Sequence, residues 1–420
     1  MLDIDKWQEI FATIKKNKLR TFLTMFGVFW GIFMLMILMG SGNGLENGVT
    51  NEFKGWASNG GFIWSNRTTM PYKGLQPGRF IRFTNDDRQE IISKVEGLEY
   101  LAPRNTLGNW NSGNNISHGD KAGSFRVFGD YPEYQQVQIV EMVAGRHINE
   151  PDMKDRRKVA VIGSYVKNVL YEKDEDPIGN DLKINGIYFQ VVGVFKSKRK
   201  SEQAERDEQT IFIPFSTFQQ AFNFGNQIGW FAFTAKKGVP VSEVEVDIKK
   251  TLASKHHIHP DDFNALGSEN LEEEFGQVNR LFDGIDVFVW IVGIGTLLAG
   301  VIGVSNIMLI IVKERTKEIG IRKSLGATPG SIIGLIIQEA IFITMVAGYT
   351  GLALGVLTLS GISQALETFE IETGMFANPE VNIQTAVVAL FVLVICGALA
   401  GLIPATKAAK INPIEALHAE

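Results

Sequence analysis

The sequence has 420 residues, 45% of them hydrophobic and 21% charged, with a formal net charge of −5. That hydrophobic share excludes a largely disordered chain, and the weak acidity gives none of the clustered basic surface that nucleic acid requires. A single cysteine, Cys396, excludes an internal disulfide, so any exported domain must stand on its own core.

The chain opens with Trp7, Ile10, Phe11 and Ile14 at i, i+3, i+4 and i+7, with lysines around them. This pattern predicts a cytoplasmic amphipathic helix over 1–19 that lies on the inner membrane surface. From Arg20 to Glu46 no ionisable side chain occurs, and Phe22 to Gly40 is almost continuously apolar. A bilayer crossing needs roughly 20 such residues, so a first span is placed at 20–43. The stretch is too long for a signal-peptide core, and Gly40-Ser41-Gly42-Asn43-Gly44 offers no A-x-A cleavage pattern, so an uncleaved anchor is expected. Three further apolar stretches predict spans at 285–312, 331–359 and 383–406, joined by a cytoplasmic loop at 313–330 and a short outer loop at 360–382, with a tail at 407–420. Basic residues flank the spans on one side only. Lys15, Lys16, Lys18 and Arg20 precede the first; Lys313, Arg315, Lys317, Arg322 and Lys323 follow the second; Lys407 and Lys410 follow the fourth. The loop between the third and fourth holds Glu367, Glu370, Glu372 and Glu380 with no Lys or Arg. By the positive-inside rule both termini are cytoplasmic, and residues 44–284 lie outside.

That outer segment reads as mixed α/β. Strands are expected at Phe80–Phe83, Ser124–Phe128, Val159–Ile162, Tyr188–Phe195, Thr210–Pro214 and Phe231–Thr234, and helices at Asp86–Val95 and Val241–Ser254. Asn185-Gly186 between two apolar runs is a hairpin turn signal. Leu107–Gly123 and Lys196–Glu208 read as loops framing an inserted lobe at about 130–215, so two lobes are expected. Leu271, Phe275, Val278 and Phe282 then follow helical spacing straight into the second span, as a stalk would. The fold class is an α-helical membrane protein: four transmembrane helices plus a large α/β two-lobed extracytoplasmic domain between helices 1 and 2.

Signals of chemistry are sparse. The string G-x-x-x-x-G-K-[ST] does not occur, which speaks against an ATPase, and Gly293-Ile294-Gly295 lies inside an apolar span where glycines serve helix contact. His256, His257, His259, Asp261 and Asp262 sit on a short turn where neighbouring ligands converge poorly, and Pro260 interrupts them; a solvated loop is expected there, with no metal. His118 and His147 are isolated, so no catalytic residue and no cofactor is assigned. Glu339 is the one charge inside the third span, about two turns from its inner end, where it can snorkel or bond a neighbouring helix. Small residues recur at four-residue spacing: Gly27 and Gly31, Ala299 and Gly303, Gly351 and Gly355, Gly397 and Gly401. They would permit close helix packing. The inner loop from Lys313 to Thr328 is short, charged and helix-prone, with an i,i+3 pairing available between Glu314 and Lys317 and apolar contact from Ile319, Ile321 and Leu325.

That loop, Lys313-Glu-Arg-Thr-Lys-Glu-Ile-Gly-Ile-Arg-Lys-Ser-Leu-Gly-Ala327, followed by Gln338-Glu339, resembles the signature of the FtsX/MacB-type family of ABC transporter permeases. So does the ending Asn412-Pro413-Ile414-Glu415-Ala416-Leu417, and Asn17 to Thr24 is similar to the family's approach to its first span. Ala144-Gly145-Arg146, Val161-Ile162-Gly163, Asp176-Pro177-Ile178-Gly179, Val192-Gly193-Val194, Ile213-Pro214-Phe215, His256 and Asp261-Asp262-Phe263 resemble the MacB-like extracytoplasmic domain. The resemblance covers essentially the whole chain. It implies a dimeric permease, homo- or heteromeric, in the cell inner membrane, driven by a separate ABC ATPase subunit, because MacB itself carries a fused ATPase and the residues read here include none. It also implies a periplasmic adaptor and an outer-membrane duct as partners in export of a drug, peptide or other periplasmic molecule. Glu314, Arg315, Glu318, Ile319, Gly320, Ile321, Arg322 and Lys323 would form a coupling helix seated in the ATPase. A lipoprotein-releasing permease and an FtsX-like regulator of a cell-wall hydrolase or sensor are the alternative expectations.

Overall fold

The structure is a computed structural model that describes residues 18–108, 113–199, 202–369 and 376–412. The amphipathic helix expected before residue 18 and the Asn-Pro motif after 412 lie outside the described residues. The chain forms two compact units, one of residues 1–49 with 281–420 and one of residues 50–280.

Among the described residues four helices are long and apolar enough to cross a membrane, two of them with ends that belong to the second unit. They are α1 (Lys18–Phe53), α8 (Leu271–Glu314), α10 (Pro329–Thr368) and α11 (Ile383–Ala409). At about 1.5 Å per residue, the 44 residues of α8 make a rod of roughly 66 Å, twice a bilayer core. No break separates the expected stalk from the second span. The third helix likewise runs on to Thr368, past the expected limit at 359. The bundle interior is built from Ile32, Leu35 and Met36 of α1, Leu297 and Val304 of α8, Ile336 and Ala340 of α10, and Leu393 and Ala400 of α11. Outside it, Phe22, Val287, Ile302, Tyr349 and Phe391 are exposed, as an apolar solvent requires.

The second unit is α/β. A four-stranded antiparallel segment runs in the order β3 (Leu98–Thr106), β12 (Trp230–Ala235), β1 (Gly60–Ser65) and β13 (Leu266–Asn270). One face packs on α2 (Asn85–Lys94) and α7 (Val241–Lys255), enclosing Ile63, Phe231, Phe233, Ile91, Val244 and Ile248. The sheet continues through β5 (Lys121–Asp130) into β4 (Asn114–His118), β8 (Asp181–Ile184), β9 (Ile187–Lys196), β7 (Val159–Gly163) and β10 (Thr210–Pro214). Because β10 also pairs with β5, in parallel, these six strands close into a ring. Closure leaves the ring no free edge, and alternate residues of its strands enter two apolar clusters. Ala160, Ile162, Ile211 and Ile213 join one; Val161, Phe212 and Phe195 join the other. Hence Val159–Gly163 and Thr210–Pro214 read as uninterrupted apolar runs.

Local chemistry explains several joints. Asn185 (φ 44°) and Gly186 (φ 92°) both take positive φ at the β8–β9 turn, the geometry an Asn-Gly hairpin favours. Gly145 (φ 69°) ends β6 (Glu141–Gly145) directly opposite Gly193 of β9, and side chains at either position would collide with the opposing backbone. The next residue, Arg146, forks onto the fully buried Asp152 at 2.5 and 3.0 Å. Arg104 and Asp130 are buried together, with Arg104 Nε and Nη2 donating to the two carboxylate oxygens at 2.6 and 2.5 Å and the guanidinium 3.4 Å from the Tyr134 ring centroid.

Three sequence expectations are corrected here. Leu107–Gly123 is not simply a loop: it contains β4 and the start of β5, so the ring reaches back to Asn114 rather than beginning near residue 130. Buried Asn114 donates to the Leu107 and Phe125 carbonyls, which is how a polar segment becomes a strand. Phe80–Phe83 shrinks to β2 (Phe83–Thr84), paired with β11 (Gln227–Ile228), while Phe80 stays exposed. The charged run 196–208 contains a short helix, α5 (Glu202–Glu208), between α4 (Ser164–Leu170) and α6 (Phe215–Ala221) in chain order.

Two predictions follow from these buried charges. Asp130→Ala leaves Arg104 uncompensated in the interior, and about 3–5 kcal/mol of destabilisation is expected, read as a lowered midpoint in denaturant unfolding. Asp87 is the second case. Burial alone would raise its carboxyl, but hydrogen bonds from His256, Lys255 and the Thr84 N–H outweigh this and bring it from 3.8 down to about 2. A depressed carboxylate stabilises the fold fully above its unfolded value and loses that contribution as pH falls through the folded one. Roughly 2 kcal/mol should therefore disappear between about pH 4 and pH 2, and acid unfolding of Asp87→Asn should be flatter across that window.

Candidate functional site

The segment that joins the second and third spans is a short helix, α9 (Thr316–Ser324), at a break after α8. Arg315, with φ −96° and ψ 14°, ends one helix and precedes the next. The Thr316 hydroxyl donates back to the Val312 and Lys313 carbonyls, satisfying acceptors that the break exposes. At the far end Gly326 takes φ 95°, the Ala327 N–H returns to the Arg322 carbonyl, and Pro329 opens α10. That is the usual glycine stop followed by a proline start.

Three ties hold α9 to the bundle. Arg315 Nη1 donates to Glu339 Oε2 of α10 at 3.4 Å, and its Nε donates to Glu318 Oε2 at 2.9 Å. Glu339 is 2% exposed, so the charge inside the third span is a buried anchor for the segment that carries α9. Lys323 Nζ donates to the Ala409 and Ile411 carbonyls, both at 2.7 Å, placing a cation on the C-terminal end of α11. Ile319 and Gly320 turn inward, Ile319 into the bundle core. The helix is therefore fastened to the third span at one end and the fourth at the other.

Of the residues expected to meet an ATPase, Arg315, Ile319, Gly320 and Lys323 serve this internal fastening. Glu314, Glu318 and Ile321 face outward, and Arg322 is half-buried. The outward face gains Leu325, 83% exposed, an apolar residue just beyond the helix with Ile321 one turn earlier, 46% exposed. Its spacing of four from Ile321 was readable in the sequence, but nothing there separated outward from inward positions.

The small residues occupy helix crossings in the bundle. Gly27 and Gly31 approach Gly300 and Thr296 of α8; Gly351 and Gly355 lie against Phe29 and Met36 of α1; Gly397 and Gly401 lie against Thr344, Ile341 and Ala340 of α10. A methyl group on Gly351 would come 2.6 Å from the Phe29 carbonyl oxygen, and one on Gly401 would come 2.9 Å from the Ala340 side chain. Gly303, by contrast, faces open space, and the residue against Val28 is Gly300.

The histidine-rich turn is dispersed into separate structural roles. His256 bonds Asp87 at 3.0 Å, and Asp262 accepts from the Thr69 N–H and hydroxyl and the Met70 N–H. His118 bonds Glu175 and stacks on Tyr171, and burial pushes His147 down to about 4. Among the described residues no group of three ligand-type side chains could hold a metal ion.

This architecture coincides with known sequence families. The model for a MacB-like periplasmic core domain matches residues 21–251, and that for an FtsX-like permease C-terminal region matches residues 290–413. The chain belongs to the MacB/FtsX family of ABC transporter permeases, multi-pass membrane proteins with a large α/β domain between the first two spans. It is 26% identical over 421 residues to the macrolide export ATP-binding/permease protein MacB of Bdellovibrio bacteriovorus, an alignment covering 99% of this chain and 62% of that one. The chain thus spans less than two thirds of that relative's length. It is also 27% identical to an uncharacterized ABC transporter permease of Methanocaldococcus jannaschii, over 98% of this chain and 96% of the relative. Among solved structures, the periplasmic region of MacB from Actinobacillus actinomycetemcomitans aligns at a TM-score of 0.43 and 19% identity, over 54% of this chain and 95% of that one.

The Arg315–Glu339 pair should be energetically coupled. In a double-mutant cycle with Arg315→Ala and Glu339→Ala, the interaction is expected at about 1–3 kcal/mol, measured by unfolding in detergent or nanodiscs. A value near zero would mean that α9 is held by its other contacts.

Proposed function

We propose that this chain is the permease subunit of a MacB-type ABC exporter, turning ATP hydrolysis on a separate subunit into movement of the domain between its first two spans. The observation that carries this reading is the fastening of α9: a short helix tied to α10 through Arg315–Glu339 and to the end of α11 through Lys323 cannot move without moving both spans. The near full-length match to an archaeal permease of similar size supports a motor carried on another polypeptide.

On this reading Glu314, Glu318, Ile321 and Leu325 present a mixed charged and apolar face to a groove of the ATPase. Arg315, Ile319, Gly320, Arg322 and Lys323 transmit the displacement. By the positive-inside rule, the basic flanks around α9 and after α11 support a cytoplasmic position for this face and an outer position for the inserted domain. Among the described residues, the apolar spans carry no chain of paired charges that would line a path for polar cargo across the bilayer. Movement therefore acts on cargo that is already outside: α1 and α8, both longer than the bilayer requires, carry the motion outward. The permease works as a dimer and hands its substrate to an adaptor and an outer-membrane duct.

Glu318→Lys reverses a charge on the outward face and removes the exposed Arg315–Glu318 pair, while Glu339 remains as the buried partner of Arg315 and Lys323 keeps its carbonyl acceptors. It should insert normally and lower transport at least tenfold, with ATP hydrolysis by the partner no longer stimulated by substrate; unchanged transport would remove α9 from the coupling role. Spin-label distances between inserted domains of the two copies should change on ATP binding to the assembled transporter, and identical distance distributions with and without nucleotide would count against mechanical transmission.

A further inference from the structure

The β3–β12–β1–β13 segment has a second face, and its composition is unlike that of the core face. Register places Trp64 of β1 directly opposite Trp230 of β12 and Gly267 of β13, while Phe62 lies opposite Ala232 and Glu269. A side chain on Gly267 would collide with the Trp64 indole, so the missing Cβ is what lets that ring lie over β13. Trp56 meets Phe62 edge-on, with ring centroids 5.4 Å apart at 86°. Trp230 Nε1 donates to the Tyr134 hydroxyl at 3.4 Å, which turns the polar ends of both rings toward each other. Together these side chains wall a cavity of about 630 Å³, within the size range of small-molecule sites.

The charges around this cavity do not cancel. Arg104 is matched by Asp130, and Arg199 lies 3.7 Å from Asp207 and 5.5 Å from the Trp56 ring centre. Three carboxylates remain on the lining: Glu52, Glu269 and Glu274. Among the described residues none of them has an ion-pair partner. Glu269 stands at the solvent-facing rim, yet its carboxyl is pushed up, first by loss of hydration against the wall and then by the charge of Glu274. An aromatic enclosure attracts a cation through its ring faces, and an unbalanced carboxylate rim adds a long-range term of the same sign.

We infer that this cavity is a binding site for amphipathic organic cations, with the apolar body between Trp64, Trp230 and Phe62 and the charged nitrogen or phosphorus toward Glu269 and Glu274. Complementary charge excludes organic anions of the same shape. The site does not depend on what the permease transports, because it is assembled wholly within the inserted domain.

The test uses the full chain in nanodiscs and two ions of matched shape and opposite charge, tetraphenylphosphonium and tetraphenylborate. Binding is read by equilibrium dialysis and by quenching of tryptophan fluorescence. Tetraphenylphosphonium should show a saturable component of one per chain, weakened at least tenfold by Trp64→Ala and by the pair Glu269→Gln and Glu274→Gln. Tetraphenylborate partitions into the lipid, and its uptake should be the same for wild type and every variant. The two glutamine substitutions remove charge without removing volume, so they keep the test valid if Trp64→Ala unfolds. Equal tetraphenylphosphonium binding in wild type and the double glutamine variant, or a tetraphenylborate component that Trp64→Ala abolishes, overturns the assignment. Loss of substrate export with this binding intact would instead fault the transport reading alone.

Discussion

Close approach of helix backbones is the constraint on which the membrane unit rests. Lipid tails are as apolar as leucine, so burial alone cannot hold four apolar helices together; contact area and a few polar ties must do so. Gly351 and Gly355 let α1 and α10 approach, and Gly397 and Gly401 do the same for α10 and α11. The polar ties then appear at the end of the bundle where α9 joins the second and third spans. Arg315 with Glu339 and Lys323 with the α11 terminus lie within one short connecting segment. The tie to Glu339 is expensive to bury and would be a poor choice for stability alone. Its value is geometric: it gives α9 one position relative to the two helices that follow.

The inserted domain solves a different problem, that of building a large mixed sheet without exposed edges. Ring closure by the parallel β5–β10 pairing removes edges from one part. The other part keeps an antiparallel segment whose two faces have separate fates. One is filled by α2 and α7; the other carries tryptophans, a phenylalanine and a buried Arg104–Asp130 pair, with a cavity left between them. An interior arginine is tolerable there because its carboxylate partner and the ring faces of Tyr134 and Phe128 surround it.

Much of the architecture could be read from periodicity. The spans stand out because a bilayer demands roughly 20 apolar residues in succession, and Asn185-Gly186 marks its hairpin because few other pairs accept positive φ twice. β4 was read as part of a loop because Asn114, Asn115 and Ser117 look like turn residues; their strand geometry comes from pairing with β5 and β8 and from the bonds of the Asn114 side chain. Phe80 misled in the opposite sense: it makes only an isolated bridge with Arg67, and continuous pairing begins at Phe83, opposite Ile228. In α9 the sequence marked the segment but not the division of labour within it. That Arg315 reaches Glu339 depends on where two separate helices meet, which residue type alone does not tell.

By itself, then, the amino-acid order determined how many spans there are, where the α/β domain is inserted and which short segment joins the second and third helices. These depend on composition and spacing along the chain, which need no knowledge of distant neighbours. Tertiary structure alone decided which cations are tied down, which glycines meet a helix, how the ring closes and that one sheet face remains open. Each of those depends on which residues far apart in sequence come within a few ångströms, and no local pattern encodes that distance.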